Sequence, residues 1–255
     1  MQNQTITMAL FEQTIDQHSD FLGTLRHRFL DENRKNALEA FALKGFPTKK
    51  DEEYKYTNLK EITEKNYNFF PTEEHHISRE QLDALHLGEE NFDRIVFING
   101  KLHKEFSKIS IGNAEFLSFN YALNDPAHKE VFDKYFNTIA NKDLAFTNLN
   151  SAYCKFGFFL RVPKNVVIEK PIHVFYLSQN QEENTFYNTR NLLIVEEGAK
   201  VEIIESHHNL DESFVLTNSV TEIFTYQNAK TDWHKLQNDN DTSYLVDHTF
   251  AKQER

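Results

Sequence analysis

Three stretches laid beside one another decide the fold: residues 158–177, FFLRVPKNVVIEKPIHVFYL; residues 191–208, NLLIVEEGAKVEIIESHH; and residues 221–237, TEIFTYQNAKTDWHKLQ. Each reads as strand, short turn, strand, because β-branched and aromatic residues flank a turn-forming residue. The turns carry Asn165, Gly198 and Asn228, residue types that accept a left-handed backbone, each followed by the small or β-branched Val166, Ala199 or Ala229. These anchors lie 33 and then 30 residues apart. A period in this range with no helix between strands predicts successive coils of a β-helix, each burying its apolar side against its neighbours. Within a coil, Ala199, Val201 and Ile203 alternate as inward positions should. An antiparallel sandwich of hairpins is the alternative reading of the same pattern.

Upstream of these coils the periodicity changes. Residues 125–136 place Val131, Phe132, Tyr135 and Phe136 on one helical side with Pro126 in the first turn, and this reads as the last long helix. Residues 92–107, FDRIVFINGKLHKEFS, predict a β-hairpin about Asn99-Gly100, a dipeptide that tolerates a type I′ turn. From Ile6 to about Gly45, apolar residues at helical spacing (Leu10, Phe11, Ile15; Phe21, Leu22, Leu25, Phe29, Leu30; Leu38, Phe41, Ala42) predict two or three amphipathic helices. Ser19 or Asp20 is expected to cap the second, and Gly45 followed by Pro47 to stop the third. The polar stretch 45–62 holds Tyr54 and Tyr56, which read as a packed aromatic pair.

Composition excludes several function classes. The 255-residue chain has a formal charge of −11 and 23 phenylalanines. It lacks the clustered Lys and Arg that nucleic acid or anionic lipid requires. No apolar run reaches 18 residues, and Glu12, Asp16 and Asp20 stand where a signal peptide would carry basic residues and then an apolar stretch. A soluble chain without a signal peptide is expected. Cys154 is the only cysteine, so one chain can form no internal disulfide and no thiolate set for zinc or an Fe-S cluster. A reducing cytosol fits that usage.

Two signatures resemble those of the SufB/SufD scaffold family of iron-sulfur cluster assembly. The first is Gly45-Phe46-Pro47 followed by Glu53-Tyr54-Lys55-Tyr56-Thr57. The second runs from Leu160-Arg161-Val162-Pro163-Lys164 through Glu169-Lys170-Pro171-Ile172-His173 and Arg190-Asn191-Leu192-Leu193-Ile194-Val195-Glu196-Glu197-Gly198-Ala199 to Val220-Thr221-Glu222-Ile223. The resemblance implies a helical N-terminal region, a long right-handed parallel β-helix, and a C-terminal helical region that docks the SufC ATPase. It implies SufB and SufC as partners in building a nascent Fe-S cluster. It also implies that a further segment, with the docking region, would follow Arg255, so that the coil with Tyr244, Val246 and Phe250 would lack its downstream neighbour. After the Glu-Gly-x-x-Val coil the cysteine of SufB-type chains is replaced by His207, and Asp239 stands where SufB carries an aromatic residue. These departures favour the family's non-catalytic branch, because a thiolate is the group that accepts sulfur or binds iron.

The resulting expectation is a mainly β chain. Residues 1–150 form a helical region with a small β element, and residues 151–255 form the first part of a right-handed parallel β-helix. No catalytic, cofactor-binding or metal-ligating residue is assigned, and no cofactor. His75-His76 and His207-His208 are metal suspects by type, but neighbours on a strand point to opposite faces and cannot chelate one ion together. Glu196, Glu197, Glu202 and Glu205 read as solvated outer faces rather than the paired carboxylates of a β-helical carbohydrate-active enzyme, the alternative from another class. Cys154 reads as a buried small hydrophobe and Trp233 as a packed ring. A SufB-type paralogue, the second alternative, needs a cysteine on a coil facing its partner.

Overall fold

In the computed structural model, which describes residues 9–25, 30–85, 92–179 and 182–254, the three turn anchors sit directly over one another. Asn165, Gly198 and Asn228 all have a left-handed backbone, with φ of 61°, 68° and 57°. The Asn165 N–H donates to the Glu197 carbonyl (2.9 Å) and the Gly198 N–H to the Gln227 carbonyl (3.0 Å), so each turn hangs on the next. A Cβ on Gly198 would lie 2.4 Å from Asn165 Oδ1, which explains glycine in the middle turn.

On either side of these turns run β4 (Phe158–Val162), β5 (Ile172–Ser178), β6 (Thr185–Val195), β7 (Lys200–Asn209), β8 (Val215–Thr225), β9 (Lys230–Gln237) and β10 (Ser243–Gln253). Successive strands alternate between two sheets. The first stacks β4, β6, β8 and β10; the second stacks β5, β7 and β9. Every pairing among these seven strands is parallel. Phe159 lies beside Leu192 and Thr185 beside Val215, which reproduces the 33- and 30-residue spacings of the anchors. This is a parallel β-solenoid of about three turns, and the hairpin-sandwich alternative is thereby set aside.

The expected hairpin forms between β1 (Asp93–Ile98) and β2 (Lys101–Leu102), with φ of 50° at Asn99 and 80° at Gly100. Its role is larger than a local hairpin. The other edge of β1 pairs in parallel with β5, while β3 (Glu115–Ser118) pairs antiparallel with β4, so both extend the solenoid's sheets.

The N-terminal region holds α1 (Ala9–Asp16), α2 (His18–Gly23), α3 (Asp31–Lys44), α4 (Lys60–Thr63) and α5 (Arg79–Ala84). Ile6 and Phe29 lie outside the described residues. Ser19 and Asp20 do not cap α2, which begins at His18 behind Gln17 without a side-chain cap. Gly45 does end α3, with φ of 69° and its N–H on the Phe41 carbonyl at 2.7 Å. Tyr54 packs towards Phe146 with ring centroids 6.3 Å apart, but Tyr56 is 90% exposed, with only the Lys55 ammonium over its ring at 5.5 Å, so the expected aromatic pair is one packed ring and one exposed one.

Beyond α6 (Phe119–Asn124), Pro126 opens a 3-10 turn that leads into α7 (Lys129–Tyr135). That helix is not the last. A further one, α8 (Ala145–Tyr153), follows it, with all nine residues buried. Its sequence, AFTNLNSAY, does carry helical spacing, with Ala145, Phe146, Leu149, Ala152 and Tyr153 on one face. The opposite face of Thr147, Asn148, Asn150 and Ser151 is buried too, because Asn150 and Ser151 find hydrogen-bond partners there. It packs with α3 and Phe46 against the first sheet through Phe146, Phe186 and Leu216. Phe119, Phe132 and Phe136 cover the same sheet further along through Phe159, Leu192 and Phe224. Leu82 of α5 and Ile77 cover the second sheet through Val96, Ile98 and Phe175.

Candidate functional site

Alternation along β7 sends Val201, Ile203, Glu205 and His207 to one face and Glu202, Ile204, Ser206 and His208 to the other. Val201 and Ile203 belong to the apolar filling of the lumen, with Val174, Leu193 and Ile223. Glu205 and His207 therefore enter the same lumen further along. Neighbouring coils place Phe97, Tyr176 and His207 in one cross-strand row, where the rings stack at 5.1 and 4.8 Å.

His207 Nε2 lies 2.8 Å from Glu205 Oε1. Lys235, the register partner of Glu205 on β9, brings its ammonium to 4.0 Å from Oε2 and also pairs with Asp247 of β10. Burial by itself would raise the Glu205 pKa. The His207 hydrogen bond and the Lys235 charge outweigh it and hold the carboxyl below its ordinary range. The Tyr176 hydroxyl donates to Asn191 Oδ1 (2.8 Å), whose amide donates to Thr221 Oγ1 (3.2 Å). A space of about 30 Å³ remains beside this row, room for about one water molecule. The lumen is thus filled, apolar along Val201 and Ile203 and polar at the Glu205–His207 end.

This arrangement corrects the reading of all four glutamates as solvated outer faces. Glu205 is 1% exposed and inside. Glu202 does face outward, 3.5 Å from His234, while Glu196 holds Arg161 (2.7 Å) and Glu197 holds Lys164 (2.7 Å) beside the turn. Glu205 thus lies inside the lumen and Glu202 outside it, so the two cannot act as a carboxylate pair. His208 points away from His207, packs near Phe175 with ring centroids 6.1 Å apart, and has its pKa pushed down by burial. His75 meets His103 edge-on at 4.5 Å, and the His76 N–H donates to Gln179. Among the described residues no group of three or more His, Cys, Asp and Glu is placed to hold a metal ion.

Two buried arginines escaped sequence reasoning. Arg190 and Glu222, each fully buried, form an ion pair on the outer face of the first sheet. Arg190 also donates to Asn137 Oδ1 (2.9 Å) and Asn150 Oδ1 (3.2 Å) and lies over the Phe136 ring at 4.6 Å. Glu222 accepts the N–H groups of Asn137 (2.9 Å), Ile139 and Ala140 (3.3 Å each). The pair fastens the α7–α8 segment to adjacent coils. The available signals were a charge inside each of two strand-like runs and the place of both residues in the second family-like signature.

Arg34 of α3 closes the C-terminal end of α8 by donating to the carbonyls of Ala152 (3.2 Å) and Cys154 (2.8 Å). Cys154 is completely buried there, with its sulfur 3.7 Å from Arg34 Nη1, so it sits on a helix cap and not on a coil. Trp233 is half-buried at the end of the lumen, stacked on Phe158 at 6.0 Å and 10°.

The pattern of the SufBD protein N-terminal region matches residues 3–174, and that of the SUF system FeS cluster assembly SufBD core domain matches residues 176–255. The chain therefore belongs to the SufBD family. Similar curated proteins include an iron-sulfur cluster assembly SufBD family protein of Synechocystis, 25% identical over 228 residues, covering 86% of this chain and 50% of the relative. Protein ABCI7, chloroplastic, of Arabidopsis thaliana is 26% identical over 232 residues, covering 87% and 47%. An iron-sulfur cluster assembly SufBD family protein of Staphylococcus saprophyticus is 30% identical over 113 residues, covering 44% and 24%. The chain spans about half the length of the first two. No helix among the described residues is long and apolar enough to cross a membrane.

Proposed function

We propose that this chain is the SufD-type member of its assembly machine, a scaffold without chemistry of its own that acts with SufB and the SufC ATPase in the cytoplasm. The observation that carries the reading is the placement of the single thiol. Cys154 is sealed under Arg34 in a helix cap, while the lumen row that ends in SufB-like chains near a cysteine holds His207, engaged by Glu205. Without a reachable thiolate a chain can neither accept sulfur nor supply the usual cluster ligands. What the rest of the molecule supplies is a rigid solenoid with a helical layer clamped to it, the properties a scaffold needs.

The test is anaerobic affinity purification of the full-length gene product from its native cell. SufB- and SufC-type subunits recovered in stoichiometric amounts, with no cluster formed on the isolated chain under reconstitution, are expected. Recovery without either partner, or a stable cluster ligated by this chain alone, would overturn the proposal.

A further inference from the structure

Away from the lumen, between the N-terminal helices and the β1–β2 hairpin, lies a cleft of about 230 Å³. Six rings line it, Phe21, Phe69, Phe70, Tyr153, Phe156 and Phe186, and the Glu73–Lys101 pair lies in the same lining. It opens into a wider groove of about 710 Å³ that carries Lys104, and Lys101 and Lys155 line both. Lys101 is matched by Glu73 at 2.5 Å. Asp125, on the groove's far side, lies 3.3 Å from His128 Nδ1.

Lys155 is different. Half-buried at the junction, its ammonium makes no hydrogen bond or ion pair among the described residues, and burial pushes its pKa below the ordinary lysine value. The Glu73 carboxylate favours the Lys155 ammonium without contacting it, but is itself bonded to Lys101, and the Arg34 charge opposes it. Beside six aromatic rings the ammonium is thus held partly out of water without a direct counter-ion among the described residues. An anion supplied from outside would remove the desolvation cost of the ammonium, and a flat ring attached to it would cover the aromatic walls, including Phe70, which is 41% exposed at the lip. We infer that this cleft binds a ring-bearing organic anion, its carboxylate or phosphate on Lys155 and its ring against the phenylalanine walls.

The experiment uses the whole chain and three probes: phenyl phosphate, inorganic phosphate and neutral benzyl alcohol, titrated by calorimetry. Phenyl phosphate is expected to bind at least about tenfold more tightly than either of the others, because only it offers both features. Lys155→Met should weaken it about tenfold or more while Lys155→Arg retains it, and Phe70→Ala should weaken it a few-fold. Should Lys155→Met fail to fold, reductive methylation of the wild-type chain read by mass spectrometry replaces it, with phenyl phosphate protecting Lys155 and sparing Lys104. Equal affinity for phenyl and inorganic phosphate, unchanged binding in Lys155→Met, or absence of protection would each overturn the assignment.

Discussion

Replacing Glu222 by glutamine tests how the helical layer is held to the solenoid. The substitution keeps the size of the side chain but removes its charge, leaving the Arg190 guanidinium buried at 0% exposure with only neutral acceptors, Asn137 Oδ1 and Asn150 Oδ1. One carboxylate oxygen serves the Asn137 N–H and Arg190, the other serves Ile139 and Ala140. An amide has one acceptor oxygen, so two of those four donors lose this partner. Breaking a buried pair from one side costs about 3–5 kcal/mol. For a chain of this size that amounts to roughly 6–20 °C in Tm. Urea unfolding should show the loss with little dependence on salt, since the pair is shielded from solvent. Hydrogen exchange should accelerate first in α8 and residues 136–140. In the double variant Arg190→Met/Glu222→Gln, the total loss should fall short of the sum of the singles, because the orphaned charge is gone. A Glu222→Gln protein within about 1 kcal/mol of wild type would refute the clamp.

Gly198→Ala should cost about 1–3 kcal/mol through its left-handed φ and its collision with Asn165, and Asn165→Gly in the same chain should recover part of that in denaturant melts. Cys154 should react with Ellman's reagent only as fast as the structure opens, and Arg34→Met should speed the reaction by loosening the α8 cap. Burial depresses the pKa of His18, His103, His208 and His248, so each contributes stability that is complete above the ordinary histidine value of about 6.5 and is withdrawn as pH falls through the folded-state value. Thermal melts should therefore fall between pH 7 and pH 5, and the Glu205 carboxyl, also held low, should extend the loss to more acidic pH.

The coils were legible because their signal is local and repeated. Asn165, Gly198 and Asn228 announce a left-handed turn wherever they stand, and the alternation around Ala199 to Ile203 assigns inside and outside without a partner in view. What stayed hidden depends on partners distant in sequence. The parity that sends Val201 inward sends Glu205 inward too, but only the arrival of Lys235 from the next coil makes a carboxylate there tolerable. Arg190 and Glu222 become intelligible once α8 and residues 136–140 are laid over them, and the short period of α8, from Ala145 to Tyr153, does not announce that its polar side is buried as well. Likewise β1 shows its hairpin through Asn99-Gly100, while its parallel edge with β5, more than 70 residues later, leaves no local mark.

The unbroken register of β6, β8 and β10 also governs how such a chain can change length. Residues pair one to one from Thr185 beside Val215 beside Ser243 to Val195 beside Thr225 beside Gln253. Inserting one residue within β8 would turn every side chain beyond it to the opposite face, sending Glu222 into the lumen and Ile223 towards the helices. The corners are more permissive. At residues 210–214 and 238–242 the chain passes between sheets outside the ladders, tied across coils by the Asn240 amide on the Asp211 carbonyl (2.8 Å) and the Val215 N–H on the Thr242 carbonyl (3.0 Å). A coil that lengthens there exchanges those few bonds while the strand register stays intact. Divergence in length within this fold is therefore channelled to one rim of the solenoid, while the tight Asn165–Gly198–Asn228 seam at the other corner stays fixed in length.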